Sequence, residues 1–131
     1  MPLHLQYEKL THTLAQSMKE HLFSYGTLQK EKVQLELFGR VLNGSPDILR
    51  SYKAFTIEIS DESFLSRGEE RYQQTLIATN DDTDTIAGTV LEITEEELLL
   101  ADNYEPANYK RINVVLESGK KAWIYLEGSA E

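Results

Sequence analysis

The stretch His21-Leu-Phe-Ser-Tyr-Gly-Thr-Leu28 holds the features that best predict the fold. Leu22, Phe23 and Tyr25 favour a β-strand, and Gly26 then ends that strand in a turn of small residues. Such a turn exposes backbone N–H groups, which suit a ligand that carries a negative charge or a carbonyl group. The sequence therefore predicts a first strand that leads directly into a candidate binding turn.

A second motif lies far downstream, at Ala101-Asp-Asn-Tyr-Glu-Pro106. A helix that contains this motif must end before Pro106, because proline cannot continue the backbone hydrogen bonds of a helix. Glu105 then stands at the helix end, beside Tyr104. One loop of backbone donors together with one placed carboxylate is a minimal set of groups for acid–base chemistry on a bound ligand.

The composition is that of an ordinary globular protein, with 40% hydrophobic and 27% charged residues in 131 residues. This length predicts one domain. The net charge of −9 disfavours nucleic acid and anionic membranes as partners, since phosphate contacts need clustered lysine and arginine. There is no apolar run long enough for a membrane span and no cysteine, which excludes thiol chemistry and is typical of a cytoplasmic protein.

Residues 1–20 are predicted to form an N-terminal extension, followed by one domain over residues 21–131. Leu3, Leu10, Leu14 and Met18 lie close to helical spacing, which indicates a short amphipathic helix. The alternative is that this stretch is an upstream extension and that the natural start is Met18. Both interpretations remain open at this point.

From His21 onward the pattern is rich in β-strands. The region Gln29 to Leu37 fits either a loop or a helical turn, and a loop is expected from Asn43 to Asp47. A helix is predicted after Thr94, which can form a capping box with Glu97. The predicted strands comprise Phe38 to Leu42, Tyr52 to Ile59, Gln74 to Thr79, Thr85 to Ile93, and a hairpin of Tyr109 to Glu117 with Lys120 to Leu126 around the turn Ser118-Gly119. Together these elements predict a small α+β domain with a mostly antiparallel or mixed, β-barrel-like sheet and flanking helices.

Several other clusters are better explained without a ligand. The acidic run Glu95–Glu97 complements the positive end of a helix. Asp81, Asp82 and Asp84 lack the glycine and the distal glutamate of a calcium loop, and the three histidines lack the spacing of zinc ligands. Trp123 and Tyr125 fit ordinary strand packing. No metal site, phosphate loop or serine nucleophile is predicted.

The order of the motifs resembles the γ-glutamyl cyclotransferase-like superfamily, and especially its small branch near the γ-glutamylamine cyclotransferases. That family opens with a strand carrying Tyr-Gly-Ser or Tyr-Gly-Thr-Leu, to which Tyr25-Gly26-Thr27-Leu28 is similar. Its Leu-Asp-Xaa-Tyr-Glu-Gly signature resembles Leu100-Ala-Asp-Asn-Tyr-Glu-Pro106, and its Tyr-Xaa-Arg motif resembles Tyr109-Lys-Arg111. The resemblance extends from about Leu22 to Leu126.

The resemblance implies an intramolecular transfer on a small γ-glutamyl compound. The α-amine of the γ-glutamyl group attacks its own side-chain carbonyl, which releases an amine and closes 5-oxoproline, with no metal and no other cofactor. It implies that Glu105 is the catalytic acid and base, and that the substrate is bound by Tyr25, Gly26, Thr27, Leu28 and Tyr109. The alternative is a non-catalytic module that binds a small carboxylate or a protein on the same fold.

This chain departs from the family pattern at two places. The family glycine after the key glutamate is Pro106 here, which stiffens the loop around Glu105. The polar run from Gln29 to Lys32 also lacks the small residues and glycines that are common in the branch. Neither departure affects the predicted fold, and both concern the identity of the substrate. Arg111 is expected either to share a strand face with Tyr109 or to form a surface ion pair.

Overall fold

A computed structural model describes residues 19–128, which form seven β-strands, three α-helices and one short 3-10 helix. The predicted helix within residues 1–20 lies almost wholly outside this range. The strands are β1 (Lys19–Ser24), β2 (Gly44–Arg50), β3 (Tyr52–Glu58), β4 (Tyr72–Ala78), β5 (Thr85–Thr94), β6 (Tyr109–Val115) and β7 (Lys121–Glu127). The helices are α1 (Glu31–Phe38), α2 (Glu62–Leu65) and α3 (Glu95–Tyr104), and the 3-10 helix covers Thr27–Gln29.

The strands form a five-stranded sheet in the order β2-β5-β1-β7-β6 and a separate two-stranded sheet of β3 and β4. All neighbours are antiparallel except β1 and β7, which pair in parallel where Leu22 meets Trp123. The predicted α+β class with a mixed, mostly antiparallel sheet is therefore confirmed. Within residues 19–128 the sheet is open, with β2 and β6 at its edges, and does not close into a barrel.

The first strand lies in the middle of the large sheet and is covered on both faces. Leu22 and Phe23 are each only 1% exposed, and they belong to different core clusters because successive side chains of a strand point to opposite faces. On one face Leu22 packs with residues of α3, such as Leu98 and Ala101. On the other face Phe23 packs with Leu76 of the β3–β4 hairpin. Because both faces are covered here, the successive residues Leu22 and Phe23 are both apolar instead of alternating with polar residues.

Two local predictions are confirmed in detail. The Thr94 hydroxyl accepts a hydrogen bond from the Glu97 N–H at 3.2 Å, and the Glu97 carboxylate accepts one from the Thr94 N–H at 3.0 Å. This capping box starts α3 at the predicted place. The β6–β7 hairpin turns at Gly119, whose φ of 91° requires glycine.

The predictions for residues 29–47 need correction. The segment Gln29 to Leu37, which fitted a loop or a helical turn, contains α1 from Glu31 onward. Phe38 to Leu42 was expected to be a strand, but Phe38 is the last residue of α1, and Gly39 ends that helix with a φ of 73°. The loop expected from Asn43 to Asp47 instead contains the start of β2. As an edge strand, β2 tolerates the proline at position 46, which is opposite Thr89 of β5.

Candidate functional site

A cavity of about 370 Å³ opens where β1 ends, between the turn after Tyr25 and the end of α3. All six residues that the resemblance assigned to the site contribute to its wall: Tyr25, Gly26, Thr27, Leu28, Glu105 and Tyr109. The structure therefore brings together residues that are about eighty positions apart in the sequence. The remaining lining residues are Leu22, Phe23, Ser24, Gln29, Lys30, Glu70, Tyr72, Gln73, Gln74, Pro106 and Tyr125.

The turn after Tyr25 is tightened into one turn of 3-10 helix. The N–H of Gln29 donates to the Gly26 carbonyl at 3.1 Å, and the N–H of Lys30 donates to the Thr27 carbonyl at 3.0 Å. The first N–H groups of a helix have no acceptor within that helix, so those of Thr27 and Leu28 point outward. Gly26 itself borders open space, because a Cβ built there would meet no atom within 4 Å. The wall at this point consists of backbone rather than side chains.

Gly88 on β5 is needed to bring that turn close to the sheet. A Cβ at this position would lie 2.5 Å from the Ser24 carbonyl oxygen and 2.7 Å from the Phe23 ring. Only glycine permits this approach between β5 and the end of β1. The position of the binding turn therefore depends on a glycine of a neighbouring strand.

Glu105 caps the C-terminal end of α3 and reaches the cavity from the side opposite the turn. Its N–H still donates to the Ala101 carbonyl at 3.1 Å, but its own backbone is extended, with φ −66° and ψ 156°. Pro106 follows and is buried in the cavity wall, and its carbonyl accepts the Tyr109 N–H at 2.9 Å. The helix end and this tight turn together aim Glu105 away from bulk solvent.

The pKa of Glu105 is raised from 4.5 to about 8, chiefly because its carboxyl group is buried. The carboxylates of Glu69 and Asp102 contribute to this rise, and the guanidinium of Arg67 opposes it. Within residues 19–128 no side chain donates a hydrogen bond to the Glu105 carboxylate. A carboxyl group with a pKa near neutrality can both take up and release a proton under ordinary conditions.

Three tyrosines of the cavity wall, Tyr25, Tyr109 and Tyr125, donate their hydroxyl protons to other groups of the protein. Tyr25 donates to the backbone carbonyl of Tyr125, Tyr109 donates to that of Gln74 at 2.9 Å, and Tyr125 donates to the Asp102 carboxylate at 2.6 Å. Burial raises the pKa of all three hydroxyls, so they stay neutral near pH 7. Their oxygens remain available as hydrogen-bond acceptors.

Sequence reasoning missed one residue of this wall, Tyr125, and one residue that contacts two of its tyrosines, Thr75. Tyr125 was expected only to pack within its strand, yet it lines the cavity and binds Tyr25 through its carbonyl. Thr75 is fully buried, accepts the Glu127 N–H at 2.8 Å and interacts through its hydroxyl with Tyr25 and Tyr109. Nothing in the local sequence distinguishes either residue from an ordinary strand position.

Arg111 lies outside the Glu105 cavity, in the ion pair that was one of its two predicted alternatives. Its guanidinium donates to both oxygens of Asp102, at 2.6 and 3.0 Å, and lies 4.4 Å from the centre of the Trp123 ring. Through these bonds and the one from Tyr125, Asp102 connects α3 to β6 and β7. The pair borders a shallow depression that shares Tyr109 and Tyr125 with the main cavity.

Two further types of site are absent from residues 19–128. No group of three or more histidine, aspartate or glutamate side chains there is arranged to hold a metal ion. No helix in that range is both long enough and apolar enough to cross a membrane.

Comparison with known proteins agrees with the fold and the motifs. The class that the structure defines is an α+β domain whose open, mixed sheet carries a glutamate-bearing cavity at the end of its first strand. A sequence profile of the family described as gamma-glutamyl cyclotransferase, AIG2-like, matches residues 22–130. The chain therefore belongs to this family, and the predicted superfamily is confirmed.

Several solved structures share the fold at low sequence identity. The solution structures of two Arabidopsis thaliana proteins each superpose with a TM-score of 0.67, at 16% and 18% identity. They cover 89% and 86% of this chain, which spans 67% and 71% of theirs. A structure named gamma-glutamyl cyclotransferase has a TM-score of 0.61 at 16% identity, over 83% of this chain and 66% of its own. No curated protein sequence matches this chain.

Proposed function

We propose that this chain is a γ-glutamyl cyclotransferase that needs no cofactor. It would convert a small γ-glutamyl compound into 5-oxoproline and a free amine. The observation that carries this proposal is the position of Glu105, whose pKa is raised to about 8, in the same cavity as the backbone turn after Tyr25. Membership of the family supports the same general activity.

Glu105 supplies the proton transfers in this proposal. The α-amine of the substrate enters protonated and must lose a proton before it can attack. The pKa of an ordinary α-amino group is about 8, which is close to that of Glu105, so transfer between the two costs little free energy. The nitrogen then bonds to the γ-carbonyl carbon, the bond to the leaving nitrogen breaks, and Glu105 returns the proton to the departing amine. The attacking nitrogen gives up its second proton to the released amine, which leaves as an ammonium ion.

The turn supplies the hydrogen-bond donors for the negatively charged oxygens of the substrate. In the proposed arrangement, the N–H groups of Thr27 and Leu28 donate to an oxygen of the substrate, either its carboxylate or the oxyanion that forms during attack. One such donor typically contributes about 3 kcal/mol in the transition state. The acceptor oxygens of Tyr25 and Tyr109 suit the substrate ammonium group. The cavity of about 370 Å³ suits a small molecule held in a folded conformation.

A substrate panel tests this proposal. The purified protein is incubated with γ-glutamyl amino acids, γ-glutamyl amines and glutathione, and 5-oxoproline is measured together with the released amine. We expect equal amounts of both products from at least one compound. Binding of these compounds without any product would instead support the non-catalytic module.

A further inference from the structure

The segment around α2, residues 61–67, holds the backbone on both sides of Glu105. After Glu105, the N–H of Ala107 donates to Asp61 Oδ2 at 2.8 Å. The other oxygen of Asp61 caps α2 by accepting from the N–H of Ser63 at 3.1 Å. Asp61 thereby links the start of this short helix to the loop that follows the cavity glutamate.

Before Glu105, the same segment binds the last carbonyls of α3. The Arg67 guanidinium donates to the Asn103 carbonyl at 3.2 Å and to the Tyr104 carbonyl at 2.5 Å. The final carbonyls of a helix lack partners within it and carry partial negative charge, which a cation stabilises. The residues just before and just after Glu105 are thus anchored by one short segment.

Aromatic packing keeps Arg67 in this position. Its guanidinium lies 5.5 Å from the centre of the Phe64 ring and 5.4 Å from that of Tyr104. These two rings also meet edge-on, with centres 6.2 Å apart, and Phe64 is only 1% exposed. Two ring faces and two carbonyl groups together restrict the guanidinium to one orientation.

We propose that Arg67 and Asp61 are positioning residues that hold Glu105 at the cavity wall. The inference rests on the proposed role of Glu105 as the base. Glu105 stands where a helix ends and the backbone turns to an extended conformation, a place where helices commonly fray. A general base must stay close to its target proton, and a displacement of 1 Å can reduce the rate about a hundredfold.

Arg67 also affects the charge state of Glu105. Its positive charge lowers the pKa of that carboxyl group, against the raising effects of burial, Glu69 and Asp102. The other ionisable groups that interact with Glu105 are tyrosines, namely Tyr25, Tyr104, Tyr109 and Tyr125. Removal of Arg67 should therefore raise the pKa of Glu105 further.

Three variants separate the effect of Arg67 on the position of Glu105 from the effect of its positive charge. Arg67→Met removes both the hydrogen bonds and the charge, while Arg67→Lys keeps the charge but loses the planar fork that reaches two carbonyls. Arg71→Met is the matched control. Arg71 lies in the same connection between β3 and β4, and its side chain forms no hydrogen bond within residues 19–128. All three are compared with the unchanged protein.

The main readouts do not depend on turnover. They are the hydrogen exchange rate of the Glu105 amide, which donates to Ala101, and the titration of the Glu105 carboxyl group by NMR. We expect Arg67→Met to speed the exchange at least about tenfold and to raise the pKa, Arg67→Lys to speed the exchange with little change of pKa, and Arg71→Met to change neither. If the exchange in Arg67→Met equals that in Arg71→Met, the proposal is overturned, whatever happens to the pKa.

Turnover gives a second measurement once a substrate is known. Arg67→Met should lower kcat about ten- to a hundredfold and change KM little, because the loss concerns the base rather than the binding turn. Unchanged kcat would contradict the positioning role. If the unchanged protein forms no 5-oxoproline from any compound, the proposed function fails, and the exchange rates still decide whether Arg67 positions Glu105.

Discussion

The Tyr25 hydroxyl donates a hydrogen bond to the backbone carbonyl of Tyr125, and this bond joins the end of β1 to β7 beside the cavity. The two strands are parallel neighbours in the middle of the large sheet. Tyr25 therefore fixes the start of the binding turn relative to a second wall of the cavity. Its contribution to stability can be separated from any role in binding.

Tyr25→Phe should lower the free energy of unfolding by about 1–2 kcal/mol, because it leaves a partly buried carbonyl without its donor. Chemical denaturation measures this change. Tyr72→Phe is the matched control, since Tyr72 also lines the cavity but is 61% exposed, and it should stay within about 0.5 kcal/mol of the unchanged protein. Equal stability of the two variants would show that the bond to Tyr125 contributes nothing.

The rate of the proposed reaction should depend on the ionisation of Glu105. Only the carboxylate can accept a proton, and the pKa of Glu105 is raised to about 8. We therefore expect kcat/KM to rise with pH to a maximum near pH 8 and to fall above it, where the substrate ammonium group loses its proton to solvent. A profile that already levels off near pH 5, as for an ordinary glutamate, would contradict the raised pKa.

The same pKa predicts how stability changes with pH. The folded protein binds the Glu105 proton more tightly than the unfolded chain does, so this stabilisation is complete below about pH 4.5 and is lost as pH rises through about 8. Glu105→Gln lacks this titration. Between about pH 4.5 and pH 8, the free energy of unfolding of Glu105→Gln should therefore rise relative to that of the unchanged protein, by on the order of 2 kcal/mol. This figure is smaller than the full pKa shift would give, because the Glu105 side chain is partly exposed to solvent.

Urea titrations at a series of pH values measure this gain. Glu96→Gln serves as the control, because Glu96 is an exposed carboxylate on the same helix. Parallel stability curves for Glu105→Gln and the unchanged protein would mean that burial does not raise the pKa of Glu105.

Two glycine substitutions should affect different properties: Gly88→Ala the stability of the fold, and Gly26→Ala the binding of the substrate. Gly88→Ala forces a methyl group against the Ser24 carbonyl and the Phe23 ring, so it should destabilise the fold by about 1–3 kcal/mol. Gly26→Ala meets no protein atom and should leave the melting temperature almost unchanged, but its methyl group narrows the cavity and should raise KM. An unchanged KM for Gly26→Ala would place the substrate elsewhere.

The sequence predicted most elements whose signals are local. The capping box of Thr94 and Glu97 marked the start of α3, and Gly119 marked the β6–β7 turn. The central strand around Phe23 was recognisable from the strand propensity of Leu22, Phe23 and Tyr25. Each of these signals depends on neighbouring residues alone, which is why sequence patterns could show them.

The helix α1 was ambiguous because its apolar residues alternate as in a strand. Val33, Leu35 and Leu37 are spaced two apart, and Leu35 stays 52% exposed in the folded protein. The residue that fixes α1 is Gln34, which is buried, donates to the Leu28 carbonyl and accepts from the Leu42 N–H, both at 2.8 Å. A polar side chain gives no sequence signal for such burial.

The candidate site was predicted from motifs, and its supporting residues were not. The motifs around Tyr25 and Glu105 identified the two sides of the cavity. Arg67 binds Asn103, Thr75 binds Glu127 and Tyr125 binds Tyr25, and the two residues of each pair are at least 36 positions apart in the sequence. Such contacts depend on the way the strands and loops pack, which local sequence patterns do not show.

The most direct test compares Glu105→Gln with Glu96→Gln on the best γ-glutamyl substrate, with 5-oxoproline and the released amine both measured. Both variants lose one carboxylate of the same helix region, but only Glu105 borders the cavity. We predict that Glu105→Gln loses at least about a hundredfold in kcat, in keeping with the loss of general acid–base catalysis, and that Glu96→Gln keeps the full rate. Turnover by Glu105→Gln at the rate of Glu96→Gln would contradict the role of Glu105 as the base.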